Sequence, residues 1–265
     1  MTQLHSPTPF IEAFVTGSTG WLVLNRPDRR NALNAEMWAA IPPLMKSLDG
    51  HADVRAIVIR GAGPEAFAAG ADISEFGEAR NDAEAAARYE RLNGEAFAAI
   101  RGSAKPVIAR IQGFCIGGGL AIALACDLRV ADGSAAFALP PARLGLAYPL
   151  DGLRDLAATI GPSAAKEMIF TARRLVAADA LRIGLIDRLA QDIDAETAAL
   201  CAEIAQGAPL TITHAKRAID FITDRPGHED DAEVAWLAGR CFDSEDYAEG
   251  RRAFAEKRKP VFHGR

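Results

Sequence analysis

Apolar positions run along the first half of the chain in two rhythms. Trp21–Leu24 and Ala56–Ile59 are short apolar runs and read as strands. The first is ended by Arg26-Pro27-Asp28 and the second by Gly61-Ala62-Gly63. Ala56–Ile59 has no polar alternation, so it predicts a strand buried on both faces. Pro106–Ala109 is a third strand candidate. Between these runs, Leu33, Met37, Trp38, Ile41, Leu44, Met45 and Leu48 recur at helical spacing, as do Tyr89, Leu92, Ala96, Phe97 and Ile100. Pro42-Pro43 interrupts the first pattern and predicts a kink or a break. After the third strand come Gly113, the triplet Gly117-Gly118-Gly119 and an apolar helix over Leu120–Ala125.

From about residue 151 strand signals fade. Helical patterns cover 163–170, 176–183, 194–206, 211–223, 231–242 and 245–258. Val234, Leu237, Ala238 and Cys241 form one apolar stripe. Asp243 or Ser244 can cap the last helix, with Glu245 and Asp246 in its positive first turn. Strand–helix alternation followed by helices predicts an α/β core over 1–195 with a helical segment over 196–265. Short terminal helices need a surface to pack on, which is the chain's own core or a neighbouring subunit.

Composition narrows the partners. The 265 residues are half apolar, enough for a substantial core without metal or disulfide staples. A net charge of −5 with dispersed cations argues against nucleic acid, and leaves room for a local basic patch such as Lys257-Arg258-Lys259. Cys115, Cys126, Cys201 and Cys241 lack CxxC spacing and read as small buried hydrophobes in a reducing compartment. The first ten residues are polar, with His5, Ser6, Pro7 and Pro9, so no signal peptide is expected. The longest apolar run, Gly113–Cys126, falls short of the ~20 residues of a membrane span. The expectation is a soluble cytoplasmic protein.

Two glycine-containing segments carry the chemistry: Phe67-Ala68-Ala69-Gly70-Ala71-Asp72-Ile73, and Gly113-Phe114-Cys115-Ile116-Gly117-Gly118-Gly119-Leu120. The second puts glycines between a strand and a buried helix. Such a turn can offer free backbone N–H groups at a positive helix terminus to an anion or oxyanion, or it can be only a tight turn. It is neither a P-loop, since no GKS or GKT follows, nor a GxGxxG dinucleotide fingerprint.

Together the segments resemble the crotonase, or enoyl-CoA hydratase/isomerase, superfamily. The likeness runs from Leu24-Asn25-Arg26-Pro27 and Asn31-Ala32-Leu33-Asn34 through both glycine segments, Cys126-Asp127-Leu128, Leu144-Gly145 and Gly184-Leu185-Ile186 to Glu249-Gly250 and Glu256-Lys257-Arg258. The resemblance implies an α/β spiral of ββα turns with a C-terminal helical trimerisation segment, assembled as a trimer or a dimer of trimers. It implies a CoA thioester as substrate, with no metal and no cofactor beyond that CoA. By position, the backbone N–H groups of Ala71 and Gly118 would form the oxyanion hole for the thioester carbonyl. Ala69, Ala71, Asp72, Ile73 and Ser74 would lie along the CoA, and Lys257 near its nucleotide.

At two positions the pattern departs from the family. Hydratases of this kind use a glutamate two residues after the glycine triplet and another after a proline in the segment beginning at Phe137; here these positions hold Ala121 and Pro141. Neither residue can transfer a proton, so the two-glutamate hydration does not carry over. Arg143, Tyr148, Asp151, Arg154 and Asp155 are the polar groups nearby in sequence. Tyr148 and Asp151 are the candidates for a displaced acid–base group; as a wall residue and a helix cap they would be structural. Gly145-Leu146-Ala147-Tyr148 and Asp243-Ser244-Glu245-Asp246-Tyr247 resemble methylmalonyl-CoA decarboxylases, which however carry His where this chain has Ala71. Three readings stand: a CoA-thioester lyase or isomerase, a malonyl-CoA-type decarboxylase, and a non-catalytic acyl-CoA-binding protein.

Overall fold

The computed structural model describes residues 1–72, 83–144, 148–223 and 231–265. An antiparallel edge opens the chain: β1 (Thr2–Leu4), β2 (Ile11–Thr16) and β3 (Thr19–Leu24). Helix α1 (Ala35–Gly50) then leads into a spiral. Its first turn is β4 (Ala56–Gly61), β5 (Ala66–Ala68) and α2 (Ala83–Arg101). The second is β6 (Val107–Ile111), β7 (Phe114–Ile116) and α3 (Gly118–Ala125). The third is β8 (Leu128–Asp132), β9 (Ala136–Ala138) and α4 (Leu150–Thr171), entered through a helical turn at Pro141–Leu144. The chain closes with β10 (Leu175–Val176), α5 (Ala177–Arg182), β11 (Arg188–Ala190), α6 (Ile193–Ala205), α7 (Pro209–Ile222), α8 (Asp231–Phe242) and α9 (Glu245–Ala255).

Each spiral turn gives its first strand to a seven-stranded sheet, ordered β1-β2-β3-β4-β6-β8-β11, and its second to a four-stranded sheet, ordered β10-β9-β7-β5. The pairings β3–β4, β4–β6, β6–β8, β5–β7 and β7–β9 are all parallel. Parallel strands are covered on both faces. Ile57 and Ile59 accordingly point into the main core with α1, while Ala56 and Val58 point to a second cluster under Ile193, Leu200 and Cys201 of α6. That explains why Ala56–Ile59 shows no alternation.

The helices expected from periodicity are present, with shifts at their ends. The break expected at Pro42-Pro43 does not occur: α1 is one helix with both prolines inside it. Two prolines cannot donate to the ladder, but Met37, Trp38 and Ile41 before them and Leu44, Met45 and Leu48 after them are all buried on one side. Burial of that stripe outweighs the lost bonds. Asp151 lies inside the first turn of α4 and does not cap it; the capping position is Pro149. Gly161 (φ 75°, ψ 161°) divides α4 into two helices, because Pro162 needs a non-helical residue before it. Ser244, not Asp243, caps α9, its Oγ accepting the Tyr247 N–H at 3.0 Å. Of the terminal stripe, Leu237 is buried and Cys241 half-buried, while the side chains of Val234 and Ala238 lie outside the described ones. All four cysteines are free thiols and three are buried. Among the described residues no helix is long and apolar enough to cross a membrane.

Trp38 ties the first two helices together. It is fully buried, meets Phe97 of α2 edge-on at 5.5 Å between centroids, and its Nε1–H donates to the Tyr89 hydroxyl at 2.9 Å. Trp38→Ala should cost about 3–5 kcal/mol, as large aromatic truncations in cores do. The check is a denaturant titration, in which the midpoint falls while the slope stays near the wild-type value.

Candidate active site at the paired amides of Ala71 and Gly118

The loop between β3 and α1 builds one half of the site. Asn31 is fully buried in left-handed backbone (φ 55°) and its amide donates to the carbonyls of Ala62 and Ala66, fastening the loop to both strands of the first spiral turn. Asn34 caps α1, its side chain accepting the Met37 N–H. Between them stands Leu33. Its N–H donates to Gly70 O and its own carbonyl accepts the Asp72 N–H, each at 2.8 Å. The Tyr89 hydroxyl donates to the same carbonyl at 3.3 Å. Bonds at residues 70 and 72 turn the Ala71 N–H to the opposite side, as in any extended segment. Ala69 is fixed similarly, its N–H donating to Arg30 O at 3.0 Å.

The second half is the turn from β7 into α3. Gly117 has φ 53° and ψ −118°, a backbone shape that side chains with a Cβ avoid. This turn starts a helix without any side-chain cap, so the first-turn N–H groups at its positive end are left unpaired by the helix itself. The contacts here are close enough to exclude a Cβ. A Cβ on Gly119 would lie 2.4 Å from Ala68 O, so only glycine lets α3 dock on β5. A Cβ on Gly118 would meet Trp38 Cζ2 at 3.0 Å and stand 3.6 Å from Ala71 N. The amides of Ala71 and Gly118 are thus neighbours, and neither donates to another backbone group among the described residues. Two such N–H groups at a helix N-terminus can hold one oxygen as negative charge develops on it.

Around this pair the acid–base inventory is short. Ala121 is buried, its N–H donating to Gly117 O, and Pro141 is buried at the start of its helical turn. Tyr148 packs its ring on Gly152, where an added Cβ would be 2.6 Å from Cε1. The Tyr148 hydroxyl is sealed from solvent with no hydrogen-bond partner among the described residues. Burial, then the charge of Asp155, then Cys115 of β7 hold this phenol well above its ordinary pKa. Burial likewise raises the Cys115 thiol far up, so it is neutral near pH 7 and Asp155 is the charge that matters. Asp151 is half exposed and 3.9 Å from the Arg101 guanidinium; Arg143 and Arg154 are exposed.

The remaining expected site residues are placed as follows. Asp72 is buried and its carboxylate accepts from Arg26 at 2.9 Å, an ion pair that closes the loop. Ile73 and Ser74 lie outside the described residues. Lys257 is exposed just beyond α9 in left-handed backbone (φ 54°). Periodicity did not single out the clamp at Leu33 or the buried Arg101–Asp155 ion pair (2.7 Å) as parts of the site. A backbone clamp leaves no side-chain signature, and a charge at a helix end looks solvated until its neighbours are known.

The family model for enoyl-CoA hydratase/isomerase matches residues 17–265. A short-chain-enoyl-CoA hydratase of Clostridium acetobutylicum is 34% identical over 250 residues, covering 92% of this chain and 93% of that protein. The crystal structure of an enoyl-CoA hydratase/carnithine racemase from Magnetospirillum magneticum superposes with a TM-score of 0.91 at 37% identity, covering 98% of this chain and 97% of the other. An enoyl-CoA hydratase/isomerase family protein from Hyphomonas neptunium gives a TM-score of 0.92 at 40% identity, covering 98% and 100%. The chain therefore belongs to the enoyl-CoA hydratase/isomerase family and has the crotonase fold.

Gly119→Ala forces its methyl into Ala68 O and must lever α3 away from β5. The expected loss is about 1–3 kcal/mol, the usual cost of overpacking, read as a lowered midpoint in thermal or denaturant unfolding.

Proposed function

We propose that this chain binds an acyl-CoA thioester with its carbonyl oxygen between the N–H groups of Ala71 and Gly118, and stabilises the enolate formed there. The observation that carries this reading is the pair itself: two adjacent backbone donors at the positive end of α3 with no partner among the described residues, held by Leu33 on one side and by the glycine turn on the other. Ala69–Ser74 would run along the CoA. Lys257, from the same or a neighbouring subunit of a trimer or dimer of trimers, would approach its nucleotide. Backbone donors placed where charge develops act without reorganising, and losing one typically costs ~10²–10³ in rate.

The reaction is not the two-glutamate hydration, because Ala121 and Pro141 offer no proton. Tyr148 is the candidate that remains, packed against the core cluster that includes Cys115 of β7. A phenol held above its ordinary pKa can donate a hydrogen bond but gives up its proton poorly. That suits a group that orients the acyl end, as a decarboxylation of a malonyl-type thioester requires: the C–C bond breaks, CO₂ leaves, and the enolate takes its proton from water. A second reading, an acyl-CoA-binding protein without turnover, is favoured by the sealed Tyr148 hydroxyl and by Asp151, which is half exposed and paired with Arg101.

Crotonyl-CoA hydration, followed by the loss of enoyl-thioester absorbance, should be slower than in a two-glutamate hydratase by several orders of magnitude. Each acid–base group contributes ~10²–10⁴-fold. Hydration at ordinary rates would overturn the assignment. Deuterium uptake at the α carbon of butyryl-CoA and CO₂ release from methylmalonyl-CoA separate enolate chemistry from binding alone; a pure binder shows neither. Gly118→Ala, which crowds the amide pair, should weaken acyl-CoA binding at least tenfold by calorimetry. An unchanged affinity would mean that the carbonyl sits elsewhere.

A further inference from the structure

The Tyr148 ring has a specific seat. It lies against Gly152 at the start of α4, in the space that a Cβ there would fill. Asp155 is three residues further along the same helix, on the same face. Asp155 is 2% exposed and its carboxylate accepts from Arg101 Nη1 at 2.7 Å. Arg101 is the last residue of α2, is itself 4% exposed, and also reaches Asp151 at 3.9 Å. One guanidinium thus joins the end of α2 to the first two turns of α4, the segment that seats the tyrosine.

A buried ion pair is a poor device for stability alone, since hydrophobic residues of similar volume serve as well or better. Its presence here coincides with a sealed phenol whose hydroxyl has no acceptor among the described residues. The charged and titratable groups that act on that phenol are Asp155 of α4 and the neutral thiol of Cys115 on β7; Arg101 of α2 pairs with Asp155 and reaches Asp151. Arg101 is committed to the two aspartates, so the phenol meets carboxylate charge and would gain a second buried anion if it ionised.

We propose that Arg101 and Asp155 are a positioning pair for Tyr148: they lock the first turns of α4 onto α2, and the Asp155 carboxylate keeps the Tyr148 hydroxyl a hydrogen-bond donor that orients the acyl group without transferring its proton. The role of Tyr148 in the reaction rests on the function proposed above; the effect of the pair on Tyr148 does not. The upward shift of the phenol, caused first by burial and next by Asp155, agrees with the geometry. Because the shift is upward, the protonated donor persists as pH rises through the ordinary tyrosine range and is lost only above it.

The test is the double variant Arg101→Met/Asp155→Leu, compared with wild type, Tyr148→Phe and the triple variant. Removing both charges together avoids leaving one buried and unpaired. Tyrosine ionisation is read by ultraviolet absorbance, with the Tyr148→Phe titration subtracted to isolate Tyr148. In wild type no Tyr148 ionisation should appear up to pH 11. In the double variant it should begin at least one pH unit earlier than in wild type. α-Carbon exchange on butyryl-CoA should fall about tenfold in kcat with KM within twofold. Adding Tyr148→Phe to the double variant should cost nothing further, because residues acting as one unit are non-additive. Unaltered Tyr148 ionisation in the double variant, or fully additive losses in exchange, would overturn the pair's role. Exchange unaffected by Tyr148→Phe would instead sink the catalytic reading of Tyr148, while the ionisation comparison still decides the pair. If the double variant does not fold, Arg101→Gln/Asp155→Asn keeps a hydrogen bond between the helices without charge and is judged by the same criteria.

Discussion

The backbone of Leu33 bonds to both neighbours of Ala71, and the site depends on that clamp. Gly70 O accepts from it, Asp72 N–H donates to it, and Tyr89 donates to the same carbonyl from α2. Each bond is worth only about 1 kcal/mol net, but their effect is directional. With residues 70 and 72 committed, the Ala71 N–H faces the other way. The loop that carries Leu33 is in turn held by Asn31 on the strands and by the Arg26–Asp72 ion pair. Trp38, one turn into α1, abuts Gly118 from below and hydrogen-bonds to Tyr89. The two donors are therefore set by one connected network drawn from α1, α2 and the two glycine segments.

Backbone donors have a consequence for the chemistry of the family. They survive changes of side chain, so the proposed oxyanion hole does not depend on acid–base residues beside it. Gly119 packs against Ala68 and Gly117 turns with positive φ whatever stands at Ala121 and Pro141. The polar groups that remain are not arranged as a replacement pair. Tyr148 is sealed, Asp151 is half exposed and reaches Arg101 at 3.9 Å, and Asp155 is held in an ion pair. The arrangement supports the proposed reading, in which the site stabilises and orients an acyl group more than it shuttles protons.

Much of the fold could be read from single runs of residues. Ala56–Ile59 announced a strand buried on both faces, and the stripe from Met37 to Leu48 announced α1. The strands β9 and β10 were not legible, because Ala136–Ala138 and Leu175–Val176 are too short for any period and exist only because neighbours in the sheet complete their hydrogen bonds. Of the kink or break expected at Pro42-Pro43, the break does not occur, for a related reason. Local rules count the bonds a proline removes, while the burial that holds the helix together comes from strands and helices distant in sequence.

For the site the division is sharper. The two glycine segments and the family pattern are local facts of glycine spacing and residue identity, legible along the chain. That the amides of Ala71 and Gly118 are adjacent, that Asp72 pairs with Arg26, and that Arg101 meets Asp155 across two helices emerge only once the chain is folded. Those relations join residues up to 54 positions apart. No local periodicity encodes them, because they are fixed by how the spiral turns stack and by which buried polar groups must then find partners.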